Sequence, residues 1–177
     1  GEIGFELVAP NEVLQKLWDL AIVSAQEVDG IPAGLGARDI LRTEMGYPLH
    51  GQDISPTITP LEAKISWAIG WDKPDFAGKA SLSAARAQGV ARKRVALKAL
   101  GRGIPRAHMN VYRDSELQDK IGEITSGTFS PTLKEGIALA LLDKEYEKSE
   151  SVFIDVRGKS LECAIVPLPF ISASPKS

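Results

Sequence analysis

The sequence has 177 residues, of which 44% are hydrophobic and 25% charged, and its formal net charge is -2. This composition excludes a disordered chain and is typical of a globular protein with a core of its own. Because 21 basic side chains nearly balance 23 acidic ones, no overall field would attract nucleic acid or an anionic membrane. We therefore expect no nucleic acid and no membrane among its partners.

The one cysteine, Cys163, cannot form an internal disulfide, and no Cys or His residues show metal-ligand spacing. We therefore expect a reducing compartment and no metal site. The sequence contains no apolar run of about 18 residues, which is the length needed to cross a bilayer. The sequence starts at Gly1, inside a segment with a strand pattern, and so we expect it to be part of a longer protein.

A strand and a helix are predicted at the start of the chain. Residues 3–8 show a weak alternation of apolar with other side chains, the period of a strand. From Val13 onward, apolar residues recur at three- and four-residue spacing, which predicts an amphipathic helix. We expect Asn11 to cap this helix and Gly30 to end it.

Three further helical segments are predicted before residue 90. The first covers 37–45, where apolar residues lie four apart and a glycine follows. The second starts at 59–62, because Thr-Pro-Leu-Glu combines a hydroxyl cap, an N-terminal proline and a glutamate that can reach back. The third is a small amphipathic segment within 75–89.

Strands dominate the second half. From about Arg92 the apolar pattern changes to period two, and turn-forming clusters separate short apolar segments. The predicted strands begin at 92 and then cover 109–113, 121–125, 137–142, 151–157 and 161–166. Such regular short strands predict a small barrel or sandwich, with the last two strands joined in a hairpin.

Glu6 is a candidate binding residue. Its carboxylate offers two parallel acceptors, which suit an amidine-like edge such as that of a pterin or guanine. The alternative is that Glu6 occupies the exposed position of an edge strand.

Two arginines on the second helix are candidates for anion binding. Arg38 and Arg42 lie four residues apart on one helical face, where their repulsion favours an anionic group between them, such as a ligand carboxylate. The alternative is that Arg42 pairs with Asp39 while Arg38 points to water.

Other polar and aromatic residues have simpler interpretations. His50 and His108 lack the companions of a catalytic triad, so we expect surface positions. The hydroxyl residues of 126–131 have no basic partner nearby in sequence, and we interpret them as turn residues. Trp67 and Trp71 are predicted in the core, with stacking on a ligand ring as the alternative.

Two sets of motifs resemble the folate-binding aminomethyltransferase family. The first set is Gly-Leu-Gly-Ala-Arg-Asp-Ile-Leu-Arg-Thr-Glu-Met-Gly at 34–46, followed by Asp53-Ile54, 59–62 and Ser66-Trp67. The second set comprises Arg-Ala-His at 106–108, 121–134 and Val-Arg-Gly-Lys at 156–159. The second set is most similar to the glycine-cleavage T-protein branch of that family.

The resemblance implies transfer of an aminomethyl group from the lipoyl arm of the H protein to tetrahydrofolate. The products would be 5,10-methylenetetrahydrofolate and ammonia. Two alternatives within folate chemistry are a demethylase and the folate domain of a sarcosine or dimethylglycine dehydrogenase. A noncatalytic folate-binding or interaction module is the alternative from a different class.

The resemblance also implies site residues. Glu6 matches the glutamate that holds the pterin, Arg38 matches an arginine that contacts folate, and Trp67 and Arg94 align with residues of the folate channel. The aspartate essential in the family has no counterpart here. We therefore expect no catalytic residue in this chain, weak binding of tetrahydrofolate and no turnover by the chain alone.

The architecture implied is α+β. Residues 1–90 would form the latter part of ferredoxin-like folate-binding domains, and 91–177 a small antiparallel β-barrel. Strand edges and apolar helix faces left exposed in the first part make self-association a hypothesis. The expected location is the cytoplasm of a bacterium, or the mitochondrial matrix of a eukaryote.

Overall fold

The structure is a computed structural model that describes residues 4–172. The chain divides into two compact units, one containing Gly1–Asp39 and the other comprising Ile40–Ser172. The division falls within a helix, and each unit is described by itself.

The first unit contains helix α1, Asn11–Gln26, and the start of helix α2, Leu35–Glu44. Residues 4–10 have no regular secondary structure, so the strand prediction is wrong for the described part of 3–8. A strand needs a neighbouring strand to satisfy its backbone groups. Among the described residues this unit provides none.

Helix α1 confirms the predicted amphipathic helix, but both of its ends differ from expectation. It starts at Asn11, with Pro10 as the cap residue and no side-chain cap. It ends at Gln26, after which the Gly30 amide donates to Ala25 O at 2.7 Å. Asp29, not Gly30, adopts the left-handed conformation, with φ of 58°. None of the residues of α1, all of which are described, is buried.

Helix α2 and helix α3, Lys79–Gln88, confirm two of the other helical segments. The remaining predicted helix start, at 59–62, forms the expected reciprocal hydrogen bonds but continues for only one turn. Lys64 adopts a left-handed backbone, φ 55°, which stops the turn, and a short 3₁₀ helix follows at Ser66–Ala68. A capping signature alone does not supply the apolar packing that propagates a helix.

Six antiparallel strands form a closed barrel in the order β1-β4-β3-β2-β5-β6. Their bounds are β1 Arg92–Ala99, β2 Asn110–Tyr112, β3 Lys120–Ser130, β4 Glu135–Asp143, β5 Ser151–Val156 and β6 Lys159–Val166. The α+β prediction with an antiparallel barrel is confirmed. Strand β3 is longer than predicted, because it extends through the serine- and threonine-containing segment that we interpreted as a turn.

The barrel interior holds the hydrophobic core, and one outer face is buried as well. In β4, Ala138, Ala140 and Leu142 belong to the core cluster. Ile137 and Leu139 alternate with them and are also fully buried. Side chains of a strand alternate between faces, so both faces of β4 are covered. Other residues of the second unit must therefore pack on the outside of the barrel.

The β5–β6 hairpin confirms the predicted turn. Val156 pairs with Lys159 across two residues, Arg157 and Gly158, which have φ values of 57° and 78°. Positive φ at both central positions is the conformation that matches the twist of a two-residue hairpin. The carboxylate of Asp155 accepts a hydrogen bond from the Gly158 amide at 2.6 Å.

A substitution at Gly122 in β3 would test how closely β3 and β4 approach each other. A Cβ at this position would meet Leu141 O and would lie 2.7 Å from Leu142 Cδ2 and 2.9 Å from Leu142 Cα. We expect Gly122→Ala to lower the free energy of unfolding by about 1–3 kcal/mol, as measured by urea denaturation. Gly36→Ala is the control, because nothing lies within 4 Å of its Cβ position. The control should leave stability unchanged or raise it by up to about 1 kcal/mol; equal effects of the two variants would contradict the packing argument.

Candidate functional site

Residues 42–65, here called the cover segment, pack on the outer face of the barrel. Backbone hydrogen bonding joins the two, since the Arg94 amide of β1 donates to Glu62 O at 2.8 Å. The Lys93 ammonium donates to Leu61 O at 3.2 Å. Leu61 and Ala63 are buried in this contact region. The cover segment therefore packs against the barrel at β1.

Asp53 is the centre of a buried hydrogen-bond network under the cover segment. The residue is 1% exposed. Its Oδ2 accepts from Arg42 Nη1 at 2.7 Å, from the Leu49 amide at 2.8 Å and from Ser126 Oγ at 2.8 Å. Its Oδ1 accepts from Thr125 Oγ1 at 2.5 Å. A buried carboxylate is tolerated when a cation and several donors satisfy it in this way.

This network corrects the interpretation of the 126–131 hydroxyl residues in two respects. Arg42 Nη2 donates to Ser126 Oγ at 2.9 Å, so that serine does have a basic partner, although 84 residues away. The segment containing Ser126 is strand, not turn. Arg42 also forms an ion pair with Asp53, a partner that the sequence reading did not foresee.

A second buried carboxylate lies nearby at the end of α2. Glu44 is 1% exposed, and its Oε1 accepts from Ser130 Oγ at 2.5 Å. The same serine oxygen accepts from the Leu133 amide at 3.0 Å. The Phe170 amide in turn donates to Glu44 O at 2.9 Å. Glu44 thus ties α2 to the end of β3 and to the segment after β6.

Glu62 links the cover segment to the start of β1. Its Oε2 accepts from the Thr59 amide at 2.8 Å and from Thr59 Oγ1 at 3.0 Å, and its Oε1 accepts from Arg92 Nε at 2.9 Å. Burial alone would raise the pKa of Glu62. The hydrogen bonds from Thr59 and the charge of Arg92 outweigh that effect and hold the pKa below its ordinary value.

A cleft with a volume of about 640 Å³ opens beside this region, entirely within the second unit. Its walls come from the cover segment, from β1, from the loop after β4 and from the chain following β6. Two of the four binding residues suggested by resemblance, Trp67 and Arg94, line it. A volume of this size suits a single small-molecule ligand.

Arg94 points from β1 toward the cover segment and is only 6% exposed. Its Nη1 donates to Gly46 O at 3.0 Å. Its buried Nε has no hydrogen-bond partner among the described residues. Burial lowers the pKa of Arg94, Asp53 acts in the opposite direction, and Arg42 adds to the lowering. The guanidinium is therefore a partly desolvated cation with unused donor capacity.

The two tryptophans of the 66–71 loop occupy different environments. Trp67 is 83% exposed, so its predicted core position is wrong. Trp71 donates from Nε1 to Ser66 O at 3.0 Å, and Arg86 lies over its ring at 4.7 Å from the centroid. The exposed indole of Trp67 is the one available for contact with a ligand at the cleft.

Glu6 and Arg38 belong to the first unit. Glu6 is exposed in the irregular segment before α1, and Arg38 is exposed on α2. That the two side chains hold one ligand between them stays a prediction. The expected surface positions of His50 and His108 are confirmed.

Asp53 is the most important residue to which sequence reasoning assigned no role. It stood within a motif of the family resemblance, but its partners lie at positions 42, 49, 125 and 126. Lys64 and Lys148, which line the cleft, were also missed. A charged residue inside a motif otherwise composed of apolar and turn residues is the signal that could have singled out Asp53.

Three further findings concern the described residues. Burial, reinforced by the charge of Glu162, raises the pKa of the Cys163 thiol to about 12, so this cysteine is no nucleophile at neutral pH. Within residues 4–172, no group of three or more His, Cys, Asp or Glu side chains could hold a metal ion. No helix in the same range has the length and apolar character needed to span a membrane.

Together, the closed six-stranded barrel, its cover segment and the adjoining cleft define an α+β protein with a ligand-sized site on a barrel domain. Residues 1–73 match the family described as GCVT N-terminal domain. Residues 92–171 match the glycine cleavage T-protein C-terminal barrel domain. The chain belongs to the glycine-cleavage T-protein family.

Relatives agree with this assignment. An aminomethyltransferase of Parafrankia sp. is 51% identical over 176 residues, which are 99% of this chain and 48% of that protein. An aminomethyltransferase of Mycobacterium bovis is 45% identical over 97% of this chain and 47% of its own length. The crystal structure of the glycine cleavage system aminomethyltransferase T from Bartonella henselae matches with a TM-score of 0.80 and 31% identity, over 92% of this chain and 45% of that one. The chain spans about half the length of the curated relatives it matches.

Asp53→Asn should strongly destabilise the second unit. The amide removes the charge that pairs with Arg42 and places a donor among groups that already donate. Breaking a buried ion pair in this way costs about 3–5 kcal/mol. We expect a loss of that size in urea unfolding monitored by circular dichroism. Asp72→Asn, at an exposed position, is the control and should change stability by less than about 0.5 kcal/mol; a loss below about 1 kcal/mol for Asp53→Asn would disprove the central role of this carboxylate.

Glu62→Gln should reveal a pH-dependent contribution to stability. Because the folded-state pKa of Glu62 is lowered, its contribution is complete above the ordinary glutamate value of about 4.3 and disappears as pH falls through the lower folded value. The variant should therefore unfold at lower urea than the wild type at pH 7, and the difference should shrink at pH 3. Glu150→Gln, at an exposed position, should show no such trend. A difference that is independent of pH would argue against the ionised Glu62 pair.

Proposed function

We propose that this chain takes part in aminomethyl transfer to tetrahydrofolate. The reaction moves the aminomethyl group carried by the lipoyl arm of the H protein, and it yields 5,10-methylenetetrahydrofolate and ammonia. The observation that carries the proposal is the match of both T-protein domains in order, over 1–73 and 92–171, together with 51% identity to an aminomethyltransferase across 99% of the chain.

Glu6 would recognise the pterin ring. A carboxylate can accept two parallel hydrogen bonds from the 2-amino group and an adjacent ring N–H, a geometry that also fixes the orientation of the ring. The exposed position of Glu6 supports this role, because its acceptors are open to solvent.

Arg38 would contact the bound folate through its guanidinium. An exposed arginine on α2 presents donors in a fixed plane and stays protonated at physiological pH. Substrate carboxylates suit such a group, because two parallel charge-assisted hydrogen bonds can form.

Trp67 and Arg94 would line the folate channel. Their presence in one cleft supports the assignment, since one supplies an exposed aromatic surface and the other a cation. An aromatic face binds planar rings, and a nearby cation orients an acidic substrate. These groups bind and orient, and none of the four is assigned a proton-transfer role.

We also propose a domain boundary near residue 90 and a cytoplasmic location. The barrel starts with β1 at Arg92, and the matches leave 74–91 between the two domains, which supports a boundary near residue 90. The relatives described above come from bacteria, which supports a cytoplasmic location.

The proposal is tested by calorimetric titration of the 177-residue chain with tetrahydrofolate under anaerobic conditions. Glu6→Ala and Arg38→Ala should each weaken binding by about tenfold or more, since each removes charge-assisted hydrogen bonds of roughly 1.5–3 kcal/mol. Glu12→Ala and Arg102→Ala, at exposed positions, are charge-matched controls and should bind like the wild type.

A coupled assay with lipoylated H protein completes this test. The chain alone should bind tetrahydrofolate weakly and show no turnover. Proton transfer at the folate amine needs a side chain within hydrogen-bond reach, and none of the four proposed residues is assigned that role. Turnover at the rate of a complete enzyme, or the absence of tetrahydrofolate binding, would refute the proposal.

A further inference from the structure

The first unit carries most of the large hydrophobic side chains that are exposed in the described part of the chain. Of the 17 such residues, 11 lie between Phe5 and Leu35. Helix α1 lies within this stretch, and none of its residues is buried. Large exposed apolar surfaces are rare on monomeric proteins and mark sites of interaction. The surface of this unit therefore suits contact with another polypeptide segment.

Helix α1 has an apolar stripe along one side. Leu14, Leu17, Trp18 and Ala21 follow one another at three- and four-residue spacing, which places them on one helical face. Leu14 and Trp18 are both exposed, and Trp18 is 58% exposed. Lys16 lies on the opposite side of the helix. A stripe of this kind is the surface with which a helix packs on a sheet or on another helix.

The segment before α1 has the pattern of a strand but no partner strand among the described residues of its unit. Phe5 and Leu7 flank Glu6, and they are 93% and 70% exposed. An extended segment with free backbone N–H and C=O groups can add a strand to the edge of another sheet. Side chains of a strand alternate between its faces, so Glu6 would then point away from Phe5 and Leu7.

The length of the relatives indicates the source of such a sheet. This chain covers 48% of the Parafrankia protein and 47% of the Mycobacterium bovis protein, so each carries a further segment about as long as this whole chain. A segment of that length is large enough to form a sheet and to bury the roughly 800 Å² on each side that a stable interface needs.

A second copy of this chain fits the surface less well. Its six strands form a closed barrel, and a closed barrel has no free edge for another strand to join. Residues 4–8 of two copies could pair only with each other, and an isolated two-stranded sheet is marginally stable. The additional family segment is therefore the better occupant.

We propose that residues 4–8 and the apolar stripe of α1 together dock a β-sheet of this additional family segment, whether it is joined to this chain or supplied as a separate one. Residues 4–8 add a strand to the edge of that sheet, and α1 packs on its face. The added strand fixes the side on which Glu6 lies. This last step rests on the proposed function, because Glu6 holds the pterin firmly only in the assembled protein.

Co-expression tests the docking. The partner is the part of the Parafrankia aminomethyltransferase outside the 176-residue match, carrying an affinity tag. The tagged segment and the 177-residue chain should purify together as a one-to-one complex, as measured by size-exclusion chromatography with light scattering. A tagged segment that stays insoluble or purifies alone, or a stable dimer of the 177-residue chain in its place, would overturn the proposal.

Two charged variants of α1 test the stripe. Trp18→Glu should lower the amount of co-purified chain at least tenfold, because the interface would bury an unpaired charge. Lys16→Glu is the control on the opposite side of the helix, and it should leave the amount unchanged although it alters the charge by two units. Both positions are exposed, so circular dichroism of the chain alone should be the same for both variants. Equal losses of co-purification would contradict docking through the stripe.

Hydrogen exchange of the complex tests the added strand. The amides of residues 5–8 should exchange at least tenfold more slowly in the complex than in the chain alone, because ladder hydrogen bonds protect them. The amides of β4, already paired in the barrel, are the control and should be protected equally in both samples. Unchanged exchange at 5–8 would refute the strand addition.

Titration with tetrahydrofolate separates this inference from the proposed function. The complex should bind tetrahydrofolate at least tenfold more tightly than the chain alone, and Glu6→Ala should remove most of that gain. A gain that is independent of Glu6 would contradict its orientation by the added strand. A complex that assembles and protects 5–8 but binds no tetrahydrofolate would refute the proposed function and leave the docking surface standing.

Discussion

The buried carboxylate of Asp53 is the constraint on which the second unit depends. Its two oxygens hold Arg42 of α2, the Leu49 amide of its own loop, and two adjacent hydroxyls of β3. The end of α2, the loop containing Leu49 and the distant strand β3 therefore meet at one charge. Since an incompletely bonded carboxylate in the interior is costly, the cover segment and the barrel must adopt their positions together. The covered outer face of β4 is the apolar counterpart of the same arrangement.

The same interaction shapes the candidate site. With Arg42 paired to Asp53, Arg94 is left beside the cleft with a hydrogen bond to Gly46 O and an unused Nε. The hydrogen bond from Arg94 to Gly46 O holds the residues that follow α2. These residues form one wall of the cleft, and β1 forms another. A site whose walls are already held by hydrogen bonds needs little rearrangement when a ligand arrives.

Local patterns predicted the fold well, and long-range contacts account for the errors. The period of α1, the strands of the barrel and the turn at Arg157-Gly158 depend on neighbours in sequence, and the structure contains all of them. The 59–62 signature formed its capping bonds, yet the chain turned left-handed at Lys64. Ser126 found its cation 84 residues away. Partners so far apart leave no periodic trace. The motif could single out Asp53 as a residue of interest, but one sequence could not predict its partners Thr125 and Ser126.

Trp67 and Trp71 lie close together in sequence but have different contacts and exposure. Trp71 donates to the carbonyl of Ser66, the first residue of the 3₁₀ turn that carries Trp67, and Arg86 of α3 covers its ring. One tryptophan therefore fixes the backbone of the turn, and the other is left on the surface at the cleft. Both tryptophans were predicted in the core because they are hydrophobic. Composition cannot distinguish a ring that anchors a loop from a ring that the loop exposes to solvent. A ring presented on an anchored turn loses little freedom on binding, and this favours a role in ligand contact over that of an incidental surface residue.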